Sequence, residues 1–130
     1  MCGIVGIISN KQSNVALESS IKKALDILKH RGPDNSSCHI IDSVWMGHAR
    51  LSILDTSESG NQPFHNDRFV LSYNGEIYNY QKLYHNFLSD KTNLKSTSDT
   101  EVLFLLLTRL GVKKTIFLRF LSFLETTASN

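Results

Sequence analysis

Cysteine is the second residue of this chain, in the stretch MCGIVGI. The initiator methionine is usually trimmed when the next side chain is small, and Cys2 would then carry a thiol and an α-amine on one residue. An α-amine titrates at about 7.7–8.0, far below a lysine amine, so near pH 7 it is partly neutral and can act as a general base toward the thiol. The ordinary alternative is an incidental cysteine at a chain start. Asn74-Gly75 is a second candidate. An asparagine NH₂ and a glycine N–H can converge on one oxygen as an oxyanion hole, where a single donor is worth roughly 3–4 kcal/mol in a transition state. The same dipeptide after a strand is also a strong hairpin signal with positive φ angles. Arg50, Glu76 and Asp99 form a third set. A guanidinium fork binds a carboxylate through two parallel hydrogen bonds, and the acids can bind an ammonium group, so together they would recognise the head of an amino acid. Taken singly, Arg50 reads as a surface or structural ion pair and Asp99 as an acid favoured at a helix start by the macrodipole. The five histidines and Cys38 show no metal-ligand spacing, and no phosphate-cradling glycine loop is present.

The elements that must position these residues follow from periodicity. Ile4, Val5, Ile7 and Ile8 make an almost continuous apolar run, which predicts a strand buried on both faces. A helix is expected over 15–30, with Ile21, Leu25 and Leu28 on one face. Gly32 as a left-handed cap and Pro33 as a helix breaker would close it. Residues 39–41 and 44–48 predict paired strands around a turn at Asp42-Ser43, followed by an apolar loop over 51–54 and a polar, turn-rich segment over 56–61. A strand is expected over 69–73 and a helix over 80–88. Ser98-x-x-Glu101 matches a capping box ahead of a helix that Gly111 ends. Strands first and helices interspersed after them suggest an α+β arrangement.

Composition bounds the function. At 130 residues the chain suits one domain. A formal net charge of +2 gives no electrostatic reason for nucleic acid or an anionic membrane as partner. Two cysteines do not make a secreted disulfide framework, so a reducing compartment is expected. No basic segment followed by a long apolar stretch marks a signal peptide. The apolar runs near 102–107 and 116–124 fall short of the ~20 residues a membrane span needs. The expected location is cytoplasmic.

The stretches MCGIVGI, HRGPD, GHARLSILD, QPF, NGEIYN and SDTEV occur here in the order seen in class II glutamine amidotransferases. HRGPD, RLSILD and NGEIYN make the chain most similar to the N-terminal glutaminase domain of glutamine-dependent asparagine synthetases. That resemblance implies an N-terminal-nucleophile hydrolase fold, with two antiparallel sheets between helical layers in an αββα sandwich. It implies Cys2 as the nucleophile and its α-amine as the base, with Asn74 and the Gly75 N–H as the oxyanion hole. Arg50 would hold the α-carboxylate of L-glutamine, Glu76 and Asp99 its α-amino group, and the backbone of Ile53 and Leu54 would line the pocket. The implied chemistry is a thioester intermediate, release of ammonia and hydrolysis to glutamate. No metal or cofactor is expected in this chain.

Two departures from the family pattern are also expected to matter. The resemblance implies a second domain that uses ATP and magnesium to activate aspartate and receive the ammonia, and 130 residues do not supply it. A synthetase domain or another ammonia acceptor on a separate chain would take that place. Residues 1–115 read as the N-terminal part of the amidotransferase domain. Residues 116–130, IFLRFLSFLETTASN, diverge from the pattern, as a frameshift or premature stop would produce. The expected fold is therefore α+β and a partial sandwich. The alternative function is a non-catalytic fragment or interaction module without a complete scaffold.

Overall fold

Asp42 and Ser43 reverse the chain between two strands, β2 (Asn35–Ile41) and β3 (Val44–Arg50), which pair antiparallel with Ile41 opposite Val44. Asp42 sits at φ 50°, a left-handed conformation that aspartate tolerates better than most residues. The computed structural model that shows this describes residues 1–9, 15–52, 55–90 and 92–118. Both strands run longer than hydropathy alone predicts: β2 begins at Asn35 and β3 reaches Arg50. Strand β1 (Gly3–Ile8) pairs antiparallel with the other edge of β3, giving the order β1-β3-β2.

One face of this sheet is covered by helix α1 (Val15–Leu28). Ile21 and Leu25 from the helix and Trp45 and Ala49 from β3 are all buried. Gly47 lies on the same face. A Cβ there would meet Val5 Cγ1 at 2.8 Å and Leu25 at 3.1 Å, so the close helix–sheet approach requires glycine. The expectation that β1 is buried on both faces is corrected. Ile4 and Ile8 are 41% and 78% exposed, because alternation turns them away from α1 on a strand at the sheet edge.

Helix α1 tightens into a 3₁₀ turn at Lys29–Arg31 and stops at Gly32. The expected left-handed cap is absent, since Gly32 has φ −152°. Glycine is needed there for space. A Cβ would lie 2.1 Å from the Ala49 carbonyl oxygen, in the backbone of the central strand.

The strand expected over 69–73 is shorter in the structure. Strand β5 (Val70–Leu71) pairs with β4 (Phe64–His65), which hydropathy did not reveal. Asn66 turns this ribbon by accepting the Arg68 and Phe69 N–H groups on Oδ1, both at 2.9 Å. The ribbon is tied to β2 by the stacked His39 and His65 rings, 3.5 Å between centroids, and by Ser37 Oγ donating to the Gln62 carbonyl. Asn74-Gly75 follows β5 without the positive φ of a hairpin turn, so that ordinary reading of the dipeptide does not hold.

The chain divides into two compact units, Met1–Gly75 and Glu76–Asn130. The second contains α2 (Tyr80–Phe87), α3 (Asp99–Leu110) and a helical stretch over 112–118. Leu83 and Leu88, with Val102, Leu103, Phe104 and Leu106, are buried. Ser98 caps α3, accepting from the Thr100 N–H at 3.2 Å. The expected reciprocal bond from Glu101 to its cap is replaced. The Glu101 carboxylate reaches further back, accepting from the Lys95 and Ser96 N–H groups and the Ser96 hydroxyl. Gly111, at φ 80°, ends the helix as expected. The observed class is α+β. Among the described residues, no helix is long and apolar enough to cross a membrane.

Candidate active site

Cys2 stands immediately before β1, half-buried. Its Sγ lies against the peptide of Leu51, receiving the Leu51 N–H at 3.3 Å and facing the Leu51 carbonyl oxygen at 3.7 Å. Its own carbonyl accepts from Arg31 Nε at 3.2 Å. The thiol is thus held from both ends of its residue by segments distant in sequence. Met1 is 75% exposed, so the bond that would free the Cys2 α-amine is at the surface.

Residues 30–34, HRGPD, build the seat. Arg31 holds the Cys2 carbonyl, and Gly32 lets the chain press onto Ala49. Asp34 accepts the Ser52 N–H on Oδ2 at 2.7 Å, and its own N–H donates to the Arg50 carbonyl at 3.1 Å. From sequence this motif is a family marker whose Gly32 and Pro33 close the helix, with none of its residues given a part in the site. The available signal was an arginine and an aspartate flanking Gly-Pro directly after a helix.

Arg50 is buried, and its guanidinium organises loop 55–61. Nη1 donates to the Ser57 carbonyl at 2.8 Å and to Asn61 Oδ1 at 2.7 Å, and Nη2 donates to the Asp55 carbonyl. Asp55 in turn accepts the Ser57 N–H and hydroxyl on Oδ1. Three of the five donors a guanidinium carries are used this way. The ion pair suggested by sequence is replaced by bonds to neutral oxygens.

Asn74 and Gly75 lie on the surface of the same unit. Tyr73, just before them, is fixed by its N–H donating to Gln62 Oε1 at 2.7 Å. The Gln62 of QPF thus ties the approach to Asn74 onto β2. In the second unit, Glu76 is exposed and Asp99 is buried, its Oδ2 accepting the Ile77 N–H at 2.7 Å. Ile53 and Leu54 lie outside the described residues. Among the described residues, no group of three His, Cys, Asp or Glu side chains could hold a metal ion.

His48, on β3 two residues before Arg50, was not singled out by the sequence. It has no exposed surface. Burial first, and the Arg50 charge second, push its imidazole from 6.5 down to about 4. Between those values the unfolded chain binds a proton at His48 that the folded chain does not. Stability therefore falls as pH drops from about 6.5 to about 4, and by about 3 kcal/mol in all at 1.36 kcal/mol per unit. Urea unfolding of the parent and of His48→Gln across that range checks this. Parallel acid profiles for the two proteins would rule it out.

The family model for the glutamine amidotransferase domain matches residues 1–120, and the chain belongs to that family. Within it, the chain is homologous to glutamine-hydrolysing asparagine synthetases. Asparagine synthetase B of Escherichia coli (strain K12) is 37% identical over 105 residues, covering 79% of this chain and 19% of that protein. Asparagine synthetase 2 of Oryza sativa subsp. japonica is 38% identical over 105 residues, covering 79% and 17%. Amidase chyE of Penicillium rubens is 36% identical over 124 residues, covering 86% and 18%. The chain spans about a fifth of the length of these curated relatives.

Proposed function

We propose that this chain is a glutaminase module of asparagine-synthetase type, which hydrolyses the side-chain amide of L-glutamine to glutamate and ammonia through Cys2. The observation that carries this is the Cys2 thiol seated on the Leu51 peptide, one residue beyond Arg50, in a chain matched by the amidotransferase family over 1–120. Once Met1 is removed, the α-amine of Cys2 takes the thiol proton and Sγ attacks the amide carbon. Asn74 and the Gly75 N–H stabilise the oxyanion. The C–N bond breaks, ammonia leaves with the proton, and water later cleaves the thioester. Among the described residues, loop 55–61 takes three bonds from Arg50, which leaves guanidinium donors for the α-carboxylate. The resemblance assigns the α-amino group to Glu76 and Asp99 and the pocket lining to the backbone of Ile53 and Leu54. The finer architecture on this reading is part of an αββα sandwich in the cytoplasm. The ammonia acceptor is a synthetase domain, to which ATP and magnesium would belong.

The test is the intact mass of the chain before and after an electrophilic glutamine analogue. One adduct, absent in Cys2→Ser and suppressed by excess glutamine, is expected. A chain lacking Met1 that takes no adduct would refute the reading. A second reading, a non-catalytic module that covers its sheet with another chain, is favoured by the exposed Ile4 and Ile8 on the face opposite α1. That reading expects no adduct.

A further inference from the structure

The sheet face opposite α1 carries polar groups that the scheme above leaves unused. Strand register arranges them in rows: Asn35 opposite Arg50, and beside that row Ser37, His48 and Ile4 across the three strands. Cys2 directly precedes β1, and its contact with Leu51 sets it at the Arg50 end of these rows. His48 is therefore a diagonal neighbour of Cys2 on one side and of Asn35 on the other. Diagonal side chains in antiparallel pairs are about 7–8 Å apart, within reach of long groups. Among the described residues, neither ring nitrogen of His48 has a hydrogen-bond partner, and the buried Oδ1 of Asn35 has none. Such groups are ordinarily satisfied by protein or by ordered water, and a water needs two to four polar partners. One imidazole nitrogen donates, the other accepts, and the Asn35 oxygen accepts.

We propose that His48 and Asn35 hold an ordered water on the Cys2 side of the sheet, and that this water hydrolyses the Cys2 thioester. The proposal rests on the glutaminase reading. His48 acts as a positioning residue. The water accepts from the His48 N–H and donates one proton to Asn35 Oδ1, and its oxygen adds to the thioester carbonyl carbon as its other proton passes to the Cys2 α-amine. The C–S bond then breaks, the amine returns the proton to sulfur, and glutamate leaves. An imidazole pushed down to about 4 suits this role, because it is neutral at pH 7, donates one N–H to the water oxygen and does not itself take the water's proton.

Rapid quench of the full chain, freed of Met1, with glutamine and mass detection separates the steps. In His48→Leu, glutamate release is expected to fall about 100-fold while the Cys2 acyl adduct accumulates. Hydroxylamine, a nucleophile that needs no positioning, restores turnover, and His48→Gln lies between the two. Slow release without adduct, or unchanged release, would overturn the proposal. A parent chain that neither releases glutamate nor forms an adduct removes the glutaminase reading itself, and the hydrolytic role with it. Imidazole ¹⁵N spectra of the parent give a readout independent of turnover. A nuclear Overhauser contact between the His48 ring and a bound water is expected, and its absence would overturn the water site even if turnover is normal.

Discussion

Cys2→Ala is expected to abolish glutamate release from glutamine, lowering it by at least about 10⁴-fold, the scale on which loss of a nucleophile acts. Stability is expected to stay within about 1 kcal/mol of the parent, since among the described residues the thiol's hydrogen bonds are long ones to a single peptide and Cys2 is only half-buried. The anchors of the residue are on its backbone: the Arg31 bond to its carbonyl, and the β1–β3 ladder that begins at Gly3 opposite Ala49. Alanine retains both. A coupled glutamate assay beside a thermal melt reads the two quantities. Undiminished release would place the chemistry elsewhere, whereas loss of release with loss of fold would make Cys2 a packing residue.

Gly32→Ala is expected to destabilise the chain by about 3 kcal/mol, at the upper end of ordinary overpacking. The new Cβ would lie 2.1 Å from the Ala49 oxygen, 2.3 Å from its carbonyl carbon and 2.6 Å from the Arg50 nitrogen. All three atoms are backbone in β3, which is paired on both edges and covered by α1, so they cannot give way. Residues 29–34 must lift instead. That movement strains the Arg31 bond to Cys2 and the Asp34 bond to Ser52, so the reactivity of Cys2 toward a glutamine analogue should fall with stability. Urea unfolding and the alkylation rate measure the two effects. A variant as stable as the parent would show that this contact is not obligatory.

The elements most visible in the sequence are those set by local rules. The Asp42-Ser43 turn, the apolar stripe of α1, the Ser98 start of α3 and its Gly111 end all depend on residues within a few positions of one another. The short β4–β5 ribbon was half missed, because two-residue strands carry no periodicity and Asn66 organises the turn through side-chain bonds. The Glu101 carboxylate was assigned to its own cap but folds back to Lys95 and Ser96, an alternative that spacing does not reveal. Of the candidate site, the residue types at Cys2, Arg50, Asn74, Gly75, Glu76 and Asp99 were visible, as was their order along the chain. The partners that hold them were not.

By itself, the sequence determined the α+β class, the helices and hairpin, and the family to which the chain belongs, since ordered motifs and local periodicity survive without coordinates. Tertiary structure decided the rest. It turned Ile4 and Ile8 outward, because pairing at an edge leaves one face of β1 uncovered. It committed much of the Arg50 guanidinium to loop 55–61, tied Arg31 to the Cys2 carbonyl and Asp34 to the Ser52 N–H, and buried His48 without a hydrogen-bond partner among the described residues. Each of these depends on register and contact between segments remote along the chain, where neither composition nor spacing records which side chain will face which.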